Sequence, residues 1–167
     1  MTMTNTMQTK HTIAILVNDQ PGVLQRVSGL FGRRGFNIES ITVGQSEEQG
    51  LSRMVIVSIG DDKTIEQIEK QLYKIIDVIK VVDLSANPMV SRELALIKVK
   101  SEPVTRPEIM GLVETFRAAV VDIGTHSLTV QVVGDTEKID AMIELLSPYG
   151  IRELSRTGVT AMVRGNA

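Results

Sequence analysis

One order of elements, β-α-β-β-α-β, can be read twice along this chain, and that repetition constrains its fold more than any other feature. Its clearest marker is a pair of strand-ending dipeptides, Gly60-Asp61 and Gly134-Asp135, set 74 residues apart. Each follows an alternating apolar run and precedes a run of helical spacing. Cut after Leu84, both halves carry 9 basic and 10 acidic groups. The length of 167 residues suits one large domain or two small ones at roughly 150 residues per domain.

In the first half, Ile13, Ile15 and Val17 alternate with Thr12 and Ala14, so His11–Val17 is expected to be a strand with one apolar face. Asn18 to Gly22 reads as a turn opening a helix, with Asp19 as N-cap and Pro21 in the first turn. Val23, Leu24, Val27, Leu30 and Phe31 carry the helical stripe, and Gly35 ends it. Residues 37–45 and 52–59 flank a hairpin tip, Glu47-Glu48-Gln49-Gly50. Ile65, Ile68, Leu72, Ile75 and Ile76 predict a second helix, and residues 78–84 a closing strand. The second half repeats this order less cleanly. It has a strand at 93–100, a helix opening near Pro107, a hairpin at 120–123 and 128–133, a helix around Met142, and last strands at 150–154 and 159–163. The expected class is α+β, two tandem ferredoxin-like (βαββαβ) domains. Their expected bounds are a flexible N-terminus at 1–10, domains at 11–84 and 92–167, and a linker at 85–91. Domains of ~80 residues bury little of their surface, so an oligomer is expected.

Several functions are excluded. A net charge of -2, evenly spread, gives no concentrated basic surface for nucleic acid. Gly32-Arg33-Arg34-Gly35 matches the loop of KH domains, yet it closes a helix before a strand instead of joining two helices. Arg34-Gly35-Phe36 opens like an RRM signature without the second stacking aromatic. There is no apolar run of membrane length and no signal-like start, so a cytoplasmic chain is expected. Without Cys there is no disulfide, thiolate metal site or Cys nucleophile. His11 and His126 are read as exposed, and Glu47-Glu48 and Asp61-Asp62 as solvated turn carboxylates, which leaves no convergent base, nucleophile and orienter. The chain is expected not to be an enzyme, and to hold no metal or cofactor of its own.

The promising feature is the turn from Asp19 to Gly22. It brings a strand end to a helix N-terminus, where unpaired N–H groups and the helix dipole favour a small carboxylate. Gly22 has no Cβ to block close approach. Asn37 begins the next strand, beyond the helix's far end, so it would approach the turn only from a second copy. Its amide could then serve both charged ends of an amino acid.

The run Asn18-Asp19-Gln20-Pro21-Gly22-Val23-Leu24, with Val27, Leu30, Phe31 and Arg34-Gly35-Phe36-Asn37-Ile38-Glu39-Ser40, resembles an ACT domain. More narrowly, it resembles the small regulatory subunit of acetolactate (acetohydroxyacid) synthase. Leu51-Ser52-Arg53-Met54, residues 66–72 and 80–82, residues 92–99, Phe116-Arg117-Ala118, residues 149–153 and Arg156-Thr157-Gly158 extend the likeness over nearly all of residues 10–165. The resemblance implies that the first domain is an ACT domain and that the chain forms a homodimer through it. It also implies a catalytic subunit as partner, carrying thiamine diphosphate, Mg and FAD, and feedback inhibition by valine in the synthesis of valine, leucine and isoleucine. Carried over by position, the effector site is Asp19, Gly22, Val23, Leu24, Asn37 and Ile38. Many members have Asn where this chain has Asp19, a carboxylate that attracts a ligand ammonium and repels its carboxylate. A different ACT-domain sensor, controlling another biosynthetic enzyme or transcription, is the alternative.

Overall fold

A computed structural model describes residues 8–165. The chain forms two compact units. One runs to Val90 and takes in the chain from Val159 onward, and the other is Ser91–Gly158.

The first unit holds β1 (Thr9–Asn18), α1 (Val23–Arg33), β2 (Ile38–Gln45), β3 (Leu51–Gly60), α2 (Asp62–Leu72) and β4 (Val78–Asp83). Its sheet order is β2-β3-β1-β4, antiparallel throughout. Period-2 alternation sends Ile13, Ile15 and Val17 of β1 and Met54 and Ile56 of β3 to one face. There they form a core with Val27, Phe31, Ile65, Ile68 and Leu72 of the helices. Phe31 and Phe36 meet edge to face, with centroids 6.3 Å apart. Asp61 caps α2, accepting from the Thr64 amide at 2.8 Å and the Thr64 hydroxyl at 2.7 Å.

The second unit holds most of β5 (Met89–Lys100), then α3 (Arg106–Thr115), β6 (Ala119–Ile123), β7 (Ser127–Gly134), α4 (Thr136–Leu146) and β8 (Ile151–Arg156). These strands run in the order β6-β7-β5-β8. Ile97, Val99, Leu128, Val130 and Val132 line the face covered by Ile109, Val113, Ile139, Met142 and Leu146. Asp135 caps α4 as Asp61 caps α2, accepting from the Lys138 amide at 2.9 Å. The tandem βαββαβ order is present in both units.

Three local expectations are corrected and one holds in part. The α2 stripe does not continue to Ile76. Tyr73 caps the helix, Lys74 and Ile75 turn back with i→i+3 bonds, and Ile76 is left 92% exposed. The segment 85–91 is no plain linker, because Leu84–Ala86 is a 3-10 turn and Met89 opens β5. The strand β9 (Thr160–Val163), read as closing the second domain, does pair with β5, and its side chains pack in the first unit. Its Val159 and Ala161 pack with Ala14, Val55, Val57 and Leu84 on the sheet face away from the helices. That face is apolar enough to need a cover, and the Thr42 hydroxyl donates to the Val159 carbonyl at 2.9 Å. Of the stretch read as a flexible N-terminus, Thr9 and Lys10 are strand residues, and residues 1–7 lie outside the described residues.

Candidate functional site at the strand-to-helix turn

Where β1 ends, three backbone bonds fix the chain before α1 begins. The Asn18 amide donates to the Asp77 carbonyl at 2.9 Å, the Asp19 amide to the Gly50 carbonyl at 2.8 Å, and the Gln20 amide to the Asn18 carbonyl at 3.0 Å. The turn is thereby anchored to the β2–β3 hairpin on one side and the α2–β4 loop on the other. Asp19 does not cap α1. The N-cap is Gly22, in the left-handed region at φ 84°, and no side chain caps the helix. An L residue is strained there, so glycine is the residue that lets the chain enter α1 from this turn.

The absence of a side-chain cap leaves donors free. The Val23 amide reaches the Gln20 carbonyl at 3.3 Å, while the amides of Gly22, Leu24 and Gln25 have no partner among the described residues. Three N–H groups at the positive end of a helix make a place for one carboxylate. Arg26, one turn into α1, adds a cation beside it. Its Nε and Nη2 donate to Asp77 Oδ2 at 3.0 and 2.6 Å, and its Nη1 stands 3.1 Å from where a Cβ on Gly22 would lie. Leu24 is 46% exposed next to these donors and supplies an apolar contact. Val23 is in the core, so only its main chain faces the turn.

Asn37 and Ile38 lie elsewhere. Ile38 pairs with Ser58 on β3, whereas Asn18 pairs with Leu51 of the same strand. Seven residues at roughly 3.3 Å each set the two ends about 23 Å apart. Asn37 is exposed, its carbonyl accepting from the Ser58 hydroxyl at 2.7 Å, and Ile38 packs against the core. One chain therefore gathers Asp19, Gly22, Val23 and Leu24, and leaves Asn37 and Ile38 at the opposite end of the sheet.

Two family models match the chain, the acetohydroxyacid synthase small-subunit-like ACT domain over residues 13–80 and the small subunit of acetolactate synthase over residues 92–165. An acetolactate synthase small subunit of Bacillus subtilis is 53% identical over 157 residues, 93% of this chain and 91% of that one. The chain belongs to the acetolactate synthase small-subunit family. A probable acetolactate synthase small subunit of Archaeoglobus fulgidus is 55% identical over 157 residues, covering 94% and 98% of the two chains. The crystal structure of the acetolactate synthase small subunit from Thermotoga maritima is 48% identical, with a TM-score of 0.89, covering 95% of this chain and 99% of that one.

Within this small-subunit fold, Arg26 and Asp77 are the framing residues that motif reading passed over. The available signal was spacing, since Arg26 lies four residues after Gly22 and so on the same side of the first turn. The two histidines differ from each other. His126 is exposed, with Nδ1 3.2 Å from Glu102 Oε2. His11 is only 8% exposed, with Nδ1 3.1 Å from Asp83 Oδ2 and Nε2 2.8 Å from Thr9 Oγ1, which corrects the reading of it as exposed. His11 ties β1 to the end of β4, and His126 ties the loop before β7 to the one after β5. Among the described residues, no three His, Cys, Asp or Glu side chains converge as a metal-binding group would require. No helix among them is long and apolar enough to cross a membrane.

Proposed function

We propose that this chain is the regulatory subunit of a cytoplasmic acetolactate synthase, raising the activity of the catalytic subunit and making it sensitive to valine. The observation that carries the valine site is the uncapped start of α1. Free amides of Gly22, Leu24 and Gln25, a glycine without Cβ and an exposed Leu24 suit a small aliphatic amino acid bound by its carboxylate. Asp19, beside these amides, serves the ammonium.

The remaining two residues come from a second copy. Strand β2 is a sheet edge, eight residues long. Antiparallel pairing of β2 with its own copy about a two-fold axis sets Ile38 of one chain opposite Gln45 of the other. Gln45 adjoins the hairpin whose Gly50 holds Asp19, so the pairing closes the 23 Å gap between the two ends of the site. The chain is accordingly a homodimer, with Asn37 and Ile38 completing each site in trans. Valine binds one arrangement of this dimer better, and the preference passes to the catalytic subunit with a coupling of ~1–3 kcal/mol. Chemistry on pyruvate belongs to that partner, which carries thiamine diphosphate, Mg and FAD.

Calorimetry with valine on the purified chain tests the site. Wild type is expected to release heat and Gly22→Asp to release none, while an intact, folded wild type without valine heat contradicts the assignment. Sedimentation is expected to give twice the chain mass of 18.3 kDa, and a monomer at concentrations that bind valine contradicts the shared site.

A further inference from the structure

The second face of the first unit's sheet carries an open groove of about 510 Å3, a volume of the size that small-molecule sites have. Ala14, Leu16 and Val82 form its floor, and Ala161 and Val163 of the β9 segment form a wall. The alternation of β1 keeps it apart from the strand-to-helix turn, because Ile13, Ile15 and Val17 face the helices while Ala14 and Leu16 face the groove.

Four charged side chains stand around this apolar floor, two of each sign. Arg53 and Glu47 neutralise each other at 3.2 Å. Lys80 and Glu48 form no ion pair with any described residue. Charge balance of this kind does not suit a phosphate or nucleotide, which calls for clustered cations. It suits a small molecule with one charge of each sign and an aliphatic body: the carboxylate goes to Lys80, the ammonium to Glu48 and the side chain onto the floor.

We propose that this groove is a second binding site on the chain, for an aliphatic α-amino acid. The site stands on the groove's own chemistry and does not depend on the reading of the Asp19 turn.

Methyl NMR on the full chain, titrated with L-leucine and separately with L-valine, tests it. Saturable shifts are expected at the Ala14, Leu16 and Ala161 methyls with at least one probe. Lys80→Glu, an exposed residue without an ion pair, is expected to weaken that response tenfold or more and to leave the Leu24 methyl response unchanged. Gly22→Asp is expected to do the reverse. Isovalerate, which lacks the ammonium, should shift the groove methyls only at concentrations at least tenfold higher than leucine. Groove methyls silent to both amino acids, or a response that Lys80→Glu leaves intact, overturn the proposal whatever the Leu24 methyls do.

Discussion

Gly22 carries more of this account than any other residue. Its φ of 84° and the 3.1 Å approach of Arg26 to its missing Cβ mean that any side chain there is both strained and crowded. Gly22→Asp is expected to cost about 1–2 kcal/mol of stability from backbone strain, read by chemical denaturation, alongside the loss of valine heat. Arg26→Ala leaves the Asp77 carboxylate, whose side chain is 12% exposed, without its cation and loosens the loop that holds Asn18. A loss of about 1–3 kcal/mol is expected. Acid sensitivity has a definite sign. The Thr64 hydroxyl and then the Thr64 amide hold the Asp61 carboxyl below its usual range, and Glu47 is held low by its own backbone amide and by Arg53. A carboxyl depressed in the folded state binds fewer protons there than in the unfolded chain, so its contribution is present above the unfolded pKa and is lost as pH falls through the folded one. Thermal midpoints should therefore decline below about pH 4. Asp61→Asn, which keeps a capping oxygen without the charge, should make that decline shallower; an unchanged slope would remove Asp61 from the explanation.

Among elements, the two units solve the same joints with different residues. Gly35 follows α1 at φ 70°, where glycine is at ease, and Arg117 follows α3 at φ 50°, the described non-glycine residue with positive φ. Arg117→Gly is expected to stabilise the second unit by up to about 1 kcal/mol, and Asp135→Ala, which removes the cap of α4, to destabilise it by about 1 kcal/mol. Thermal melts of each variant against wild type check both signs. These joints also show what could be read in advance. Alternation in β1 and the stripes of α1 and α4 are visible because each buries one continuous face, and the repeated Gly-Asp pair marks both strand ends, though not that its Asp caps the helix that follows. The end of α2 was not visible, because Ile75 and Ile76 keep helical spacing while the chain turns away at Tyr73. Nor was the true cap of α1, since Asp19 has the right chemistry but its backbone is committed to Gly50. Local pattern reports burial, and long-range hydrogen bonds decide where a turn closes.

For the whole molecule, the packing of the β9 segment on the first unit's sheet is beyond pattern reading. Val159, Ala161 and Val163 alternate like any strand, and nothing in their spacing says which sheet they cover. A chain ending at Gly158 should expose Ala14, Val55 and Val57 and cost the first unit roughly 2–4 kcal/mol, the burial of about one valine and one alanine side chain. Amide exchange resolved by unit checks this, and equal protection with and without the segment would contradict it. At the same scale, the free amides of the turn and the edge strand β2 belong to one device only if two copies and a catalytic partner assemble around them. Reconstitution with the acetolactate synthase catalytic subunit, assayed for acetolactate formation from pyruvate with and without valine, tests that most directly. The expected result is no turnover by this chain alone, faster turnover by the pair than by the catalytic subunit, and inhibition by valine that Gly22→Asp removes. Turnover by the chain alone, or a pair that valine leaves unaffected, would contradict it.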